Sequence, residues 1–447
     1  MYVSEEAVSL PARYGYFWGC YIPNRLPHME KATRAVFAEL GIPAQDLAGF
    51  TCCPEKSMMK NADHDAWLVT AARNLDIAED AGLTLTTPCT GCYGTLKGAN
   101  HELANPATLE RVNAQLGRVG RTYQRKTDVK HLLEVLWDDF GPQTLQQLVR
   151  RPLTGLRVAV HGGCHLVRPG RELGFDDPFA PRKFDQLVEA LGATSVNYTT
   201  KSLCCGGLLA RADDQAQAEQ MCRMKLKELS TLQVDCLSTV CPSCTMQYEM
   251  QQATFARAGE VYNVPVLSYM ELLGLALGLE PEALGVPAHR VDTDPFFQRW
   301  NELRQAQDRL AGHFDVKGLT GCAECNGCRN DCPVNLGDPT WVPNDIIRRL
   351  AEGDLDGVIA SKDAWKCHEC YTCSDRCCQA YSMLEIFRTV KHLSVEQGVV
   401  PDGVADGIAT VRAQGSMITG SAAARKRLKL PDSPKSGAEE LATILKP

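Results

Sequence analysis

The sequence is poor in three things: net positive charge, long apolar runs and glycine-rich nucleotide loops. Its formal net charge is −7, which argues against a nucleic-acid partner, because such binders usually carry a basic surface. No run approaches the ~20 apolar residues that a membrane helix requires. The longest candidate, residues 272–279, is too short and contains two glycines, so no membrane span is expected. The opening segment, MYVSEEAVSLPARYGYFWGC, has acidic residues early and no charged stretch followed by an apolar one. No export signal is expected from it, and the expected compartment is the cytoplasm. Gly91, Gly94 and Gly98 lie among cysteines and do not follow the G-x-G-x-x-G order. The chain therefore has no evident dinucleotide fingerprint.

What the sequence has in quantity is cysteine, 21 residues in a chain of 447. In a reducing compartment, dense cysteine points to metal or redox chemistry rather than to disulfides. The hydrophobic content of 44% is ordinary for a globular protein, and the length allows about three domains of roughly 150 residues.

The cysteines repeat. Cys20 is followed after 31 residues by Cys52-Cys53 and then after 35 by Cys89-Thr-Gly-Cys92. Cys164 is followed after 39 residues by Cys204-Cys205 and then after 35 by Cys241-Pro-Ser-Cys244. All but the leading cysteine are displaced by 152 residues, a period long enough to mean a duplicated domain. Apolar, strand-like runs lead into the cysteines at residues 14–18, 83–87, 158–160 and 234–240. Helical spacing recurs between them, at Leu68, Ala71, Leu75 and Ala78 and at Phe184, Leu187, Val188 and Leu191. Strands alternating with helices predict α/β domains with cysteines at the carboxyl ends of strands, the edge where open α/β sheets bind ligands. The expected division is one α/β domain over 1–152, its duplicate over 153–284, a linker over 285–313, a mainly α-helical module over 314–400 and an exposed polar tail over 401–447. The basic run Arg425, Lys426, Arg427 and Lys429 lies in that tail.

The helical module carries Cys322-x2-Cys325-x2-Cys328-x3-Cys332-Pro333 and then Cys367-x2-Cys370-x2-Cys373-x3-Cys377, with Cys378 in place of the second proline. Three closely spaced thiolates suit three irons of a cubane cluster, and the fourth completes the neighbouring cluster in two-cluster ferredoxins. The assignment is Cys322, Cys325, Cys328 and Cys377 to one [4Fe-4S] cubane, and Cys367, Cys370, Cys373 and Cys332 to the other. A pair of zinc sites also takes four thiolates each, but zinc motifs rarely place three cysteines so close with a fourth three residues on. Cys378 is read as a spare thiol.

The duplicated groups bring five cysteines each, one more than a cubane or a zinc ion uses. Spacing alone leaves open an unusual cluster, a zinc site with a bystander, or a cubane with a spare. Both repeats resemble the CCG domains of the heterodisulfide reductase B subunit. The cysteine pattern carries the resemblance, with FWGCYIPN (17–24), AARNLDIA (71–78), CTGCYG (89–94) and GCHLVRP (163–169). The C-terminal module resembles the C subunit of the same enzyme, including CHECYTCS (367–374) and LKLP (428–431). The resemblance implies a B–C fusion in which Cys20, Cys52, Cys53, Cys89 and Cys92 hold one noncubane [4Fe-4S] cluster. By the same resemblance Cys164, Cys204, Cys205, Cys241 and Cys244 would hold the other, with a disulfide substrate reduced between them. It also implies a flavin- and iron–sulfur-containing A-type partner, since this chain has no evident flavin site. Beyond that partner would lie a hydrogenase, formate or NADH-linked electron-input module.

Two other readings accompany this one. The iron–sulfur subunits of lactate or glycolate oxidation also join ferredoxin motifs to CCG domains, but typically with the ferredoxin first. A relay protein without its own substrate, within a larger reductase such as a benzoyl-CoA reductase complex, would need the same clusters. Cys222, on a helical stretch, and Cys236, in an apolar strand, are read as core, because buried free cysteine behaves as a small hydrophobe. His165 follows a cysteine of the motif and is a candidate proton or hydrogen-bond donor, with structural support of the loop as its rival. His161 has the weaker claim.

Overall fold

The computed structural model describes residues 14–418, 422–431 and 437–445, apart from 326, 328 and 378–380. The first unit runs to Asn301 and contains two parallel sheets of the same topology. Strands β1 (Tyr14–Tyr16), β2 (Ala44–Asp46), β3 (Thr84–Thr87) and β4 (Val129–His131) lie in the spatial order β2-β1-β3-β4. Strands β5 (Arg157–His161), β6 (Thr194–Ser195), β7 (Cys236–Thr239) and β8 (Val266–Ser268) repeat it as β6-β5-β7-β8. The registers correspond: Tyr14 pairs with Thr84 in the first sheet and Val158 with Cys236 in the second. The four apolar runs read from the sequence coincide with β1, β3, β5 and β7.

Helices cover these sheets because their apolar residues recur every three or four positions. In the first half these are α1 (Pro27–Glu39), α2 (His64–Asp80) and α3 (Thr90–Glu102). In the second they are α4 (Lys183–Glu189), α5 (Gln215–Thr231), α6 (Pro242–Arg257) and α7 (Tyr269–Ala276). Asp63 starts α2 by accepting the Ala66 N–H, and Asp214 starts α5 by accepting that of Gln217. Such caps satisfy donors that the first helical turn leaves open. Trp67, Leu68, Ala71, Ala72 and Leu75 of α2 are buried against Leu85 and Val129 of the first sheet. Burying each large side chain stabilises the fold by about 1.5–3 kcal/mol.

The two halves pack into one unit through the strand ends. Burial lowers the His131 pKa to about 4, so its ring is neutral. Nδ1 accepts the Leu133 N–H and Nε2 donates to the Val240 carbonyl at 3.1 Å. The end of β4 is thereby tied to the end of β7.

The second unit, from Glu302 onward, is helical, with no strand among its described residues. A long helix α8 (Asp294–Ala311) leads into it. Its core joins α9 (Val316–Cys325), α10 (Pro343–Ala351), α11 (Leu355–Ser361) and α12 (Met383–Glu396) through Leu319, Ile347, Val358, Phe387 and Val390. The stretch read as a tail includes a helix α13 (Asp402–Gln414), none of whose residues is buried. No described helix in the chain is long and apolar enough to cross a membrane.

Gly206 follows the second cysteine pair at φ +80°, and a Cβ there would stand 2.8 Å from the Ala218 Cα. Gly206→Ala would combine left-handed strain with overpacking against backbone, about 2–4 kcal/mol together. A clearly lower Tm is expected for that variant by differential scanning calorimetry. An unchanged Tm would mean that the loop relaxes freely and is not clamped by α5.

Candidate metal centre

Parallel strands deliver the chain to one edge of a sheet, and both halves use that edge for cysteine. Cys20 follows β1, the Cys52-Cys53 pair lies in the loop between β2 and α2, and Cys89 and Cys92 follow β3. The second half places Cys164 after β5, Cys204-Cys205 before α5 and Cys241 and Cys244 after β7. The edges face each other. All ten cysteines line a single cavity of about 970 Å³.

Within the cavity the thiols form two groups that touch. Cys20 Sγ and Cys52 Sγ are 3.7 Å apart, and Cys205 Sγ and Cys244 Sγ are 3.5 Å apart. Cys53 interacts with Cys52 and Cys92, and Cys204 with Cys164 and Cys205. Cys89 of the first half meets Cys241 of the second. None of the described cysteines is in a disulfide.

The C-x-x-C spacing has a local cause. Cys89 caps α3, and its Sγ accepts the Cys92 N–H at 3.4 Å. Cys241 stands at the cap of α6, with Pro242 in the first turn, where its missing N–H costs nothing. Each C-x-x-C therefore sits where open N–H groups and the helix dipole favour negative sulfur. Hydrogen bonds from Cys52 and Cys92 hold the Cys53 thiol well below its ordinary pKa, and Cys164 and Cys205 pull Cys204 down to about 2. Bonds from Cys244 and Cys89 likewise lower Cys241. The same sulfur contacts, with burial, raise Cys52, Cys89, Cys92, Cys164, Cys205 and Cys244, so the lowered thiols Cys53, Cys204 and Cys241 are the ones favoured as thiolates, the form that binds metal. Five convergent sulfurs per half, joined in one cavity, fit iron–sulfur ligation.

Of the two histidines weighed from the sequence, His165 lines the cavity, and burial lowers its pKa. His161 has a larger part than its sequence context suggests. One of its ring nitrogens lies within 4.8 Å of the Cys205 and Cys244 sulfurs. Its Nδ1 accepts from the fully buried Lys225 ammonium at 3.0 Å, which leaves Nε2 carrying the proton. Burial lowers the Lys225 pKa to about 8. Sequence reading overlooked this lysine; its only signal is a charge on the apolar stripe of α5, between Cys222 and Leu226. Also overlooked is Arg211, at the cavity wall beside Ser243, which donates to the Tyr21 hydroxyl at 2.6 Å across the two halves.

Cys222 and Cys236 are fully buried; the Cys222 thiol donates to the Cys205 carbonyl at 3.1 Å, and neither lines the cavity. In the helical unit, Cys332, Cys367, Cys370 and Cys373 line a small cavity of about 30 Å³. Cys377 Sγ accepts the Tyr381 N–H at 3.0 Å. Burial, Asp315 and Cys322 together push the Tyr381 hydroxyl up to about 12. Cys325 is exposed, and Cys328 and Cys378 lie outside the described residues.

A cysteine-rich domain model matches residues 14–97 and 158–249, and a 4Fe-4S dicluster domain model matches 321–382. The chain is 39% identical over 295 residues to the B subunit of the ferredoxin/F(420)H(2)-dependent CoB-CoM heterodisulfide reductase of Methanosarcina acetivorans, spanning 65% of this chain and 98% of that one. It is 33% identical over 280 residues, 62% of this chain and 97% of the other, to the membrane anchor subunit of the 8-methylmenaquinol:fumarate reductase of Wolinella succinogenes. The C-terminal part is 33% identical over 98 residues to the C2 subunit of the H(2)/formate:CoB-CoM heterodisulfide,ferredoxin reductase of Methanococcus maripaludis, 22% of this chain and 52% of that one. A hypothetical protein from Helicobacter pylori shares the fold, with a TM-score of 0.51 and 16% identity over 63% of this chain and 52% of its own.

Substitution separates ligands from bystanders. Cys53→Ser is expected to lower the iron content of the anaerobically purified chain by about one four-iron cluster. Cys222→Ser should leave it unchanged, since that sulfur faces the core. Iron analysis of the two variants decides: iron lost from the Cys222 variant would show that the ligand set is wrong.

Proposed function

The chain belongs to the B-subunit family of heterodisulfide reductase, with a 4Fe-4S module like that enzyme's C component fused behind it, and on that footing we propose that it reduces a disulfide as the iron–sulfur part of a larger flavin-dependent complex. The observation that carries the reading is the convergence of all ten repeated cysteines on one cavity. Cys20, Cys52, Cys53, Cys89 and Cys92 would hold one noncubane [4Fe-4S] cluster, and Cys164, Cys204, Cys205, Cys241 and Cys244 the other. Clusters bound there would supply single electrons and iron sites for sulfur. Cys322, Cys325, Cys328 and Cys377, and Cys332, Cys367, Cys370 and Cys373, would hold two cubane clusters through which electrons enter.

The chain's own residues define what the cavity accepts. The contact between Cys89 and Cys241 keeps the two thiol groups adjacent, so both face the one cavity in which a small disulfide would bind. Met58, Met59, Leu208 and Leu209 give the cavity an apolar wall, while Arg211 and His165 offer polar anchors. Reduction consumes two electrons and two protons and releases two thiols. A volume of about 970 Å³ is at the upper end of small-molecule sites, with space for substrate as well as clusters.

A second reading draws on the 33% identity to the Wolinella protein, whose name assigns it to a fumarate reductase. On that reading the chain relays electrons within a reductase whose substrate binds elsewhere.

Nicotinamide gives a hydride whereas cubane clusters pass single electrons, so a flavin must divide the pair. The A-type partner is proposed to supply that flavin. The isolated chain should therefore bleach with a reduced viologen dye and stay oxidised with NADH, followed anaerobically by visible absorbance. Rapid bleaching by NADH alone would sink the partner requirement. Dye-driven release of two thiols from a mixed disulfide supports reduction at the cavity; bleaching without thiol release supports the relay.

A further inference from the structure

Away from the thiol cavity, four buried titratable side chains meet where the two halves join. His28 lies on α1, Glu249 on α6, Glu271 on α7, and His289 follows a short 3-10 turn at Val286–Ala288. The side chains of Glu249, Glu271 and His289 are at most 1% exposed. His289 Nδ1 is 2.6 Å from Glu249, and its Nε2 is 2.9 Å from Glu271. The His28 and His289 rings stand 4.5 Å apart between centroids. His28 is 4% exposed, and its Nε2 is buried with no hydrogen-bond partner; Glu249 Oε2 is likewise unpartnered.

A buried imidazole nitrogen and a buried carboxylate oxygen without partners each cost free energy. The charge is also unbalanced. If the two carboxylates share one proton-bearing imidazolium, the cluster keeps a net negative charge out of water. We propose that these residues form a divalent-cation site of the zinc class, with His28, His289 and Glu271 as ligands and Glu249 as the orienting partner.

One ring nitrogen of each histidine and one oxygen of Glu271 lie within 4.8 Å of one another. Ligands around a tetrahedral zinc stand ~3.4 Å apart, so small rotations of the side chains complete the site. The remaining coordination position falls to water. Binding displaces the proton that bridges His289 and Glu271, leaves both imidazoles neutral and brings the net charge to zero. His289 keeps Nδ1–H on Glu249, the carboxylate–histidine–metal arrangement that fixes a ligand ring. The other carboxylate oxygen of Glu271 is already held by the Ser268 N–H at 2.6 Å, so the ligand is oriented before the ion arrives. The set is nitrogen and oxygen only, which separates its chemistry from the thiolates. It joins α1 of the first half to α6, the helix that carries Cys244 and follows Cys241, so the ion would fasten the two halves together.

The test uses the full chain, purified anaerobically and supplied with micromolar zinc. About one zinc per chain is expected beside its iron. The zinc-edge absorption fine structure should show a nearest shell of nitrogen and oxygen at ~2.0–2.2 Å and no sulfur at ~2.3 Å. Zinc should raise the Tm of the wild type and not that of His28→Gln, which should keep its iron and lose its zinc. Glu249→Gln should retain the site with affinity weakened about 10–100-fold. An iron-loaded wild type that takes up no zinc overturns the proposal, as does zinc bound through sulfur or wild-type zinc uptake by His28→Gln. If His28→Gln loses iron and fails to fold, the wild-type edge spectrum and the Glu249→Gln affinity decide.

Discussion

Thiolates repel one another, and ionising many of the ten cysteines around one cavity is unfavourable unless positive charge comes with them. Much of the unit's architecture answers that constraint. Parallel strands bring every cysteine to the edge where helices begin, and the two C-x-x-C pairs occupy the starts of α3 and α6, where the backbone supplies positive potential. Hydrogen bonds between neighbouring sulfurs keep some thiols protonated so that others remain thiolates. Metal supplies the rest of the charge when it binds. The duplicated sheets thus form a frame that presents two five-sulfur sets to each other.

The two sets are not equivalent. Cys20 and Cys52 of the first are exposed, whereas every member of the second is partly or fully buried. Among the described residues, Lys56 of the first half is only partly buried, whereas Lys225 of the second half is fully buried and reaches His161, which lies against Cys205 and Cys244. Arg73, 152 residues earlier, bonds the Gly49 carbonyl instead. A buried cation stabilises added electrons more than a solvent-facing one can. The duplicated motif therefore sits in two electrostatic settings, one open and one cation-backed, although the cysteine spacing of the halves is almost the same.

The duplication, the strands leading into the cysteines and the helical C-terminal module were legible in the sequence, because period and ligand spacing are local patterns. Facing of the two sheet edges was not, since it depends on contacts such as His131 with Val240, 109 residues apart. Lys225 was hidden by the habit of reading lysine as surface. The His28, Glu249, Glu271 and His289 cluster has no motif at all: its members come from four separate elements and meet only after both halves have folded. Cys222 and Cys236 were read as core from their apolar neighbours, and both are buried.

On the proposed reading each five-cysteine set holds iron within the shared cavity. Anomalous scattering from crystals of the anaerobic chain, measured on both sides of the iron absorption edge, tests it most directly. Two separate iron peaks are expected in the cavity, one beside Cys53 and Cys92 and one beside Cys205 and Cys244, in addition to those of the C-terminal unit. Iron confined to the C-terminal unit, or a single peak in the cavity, would contradict it.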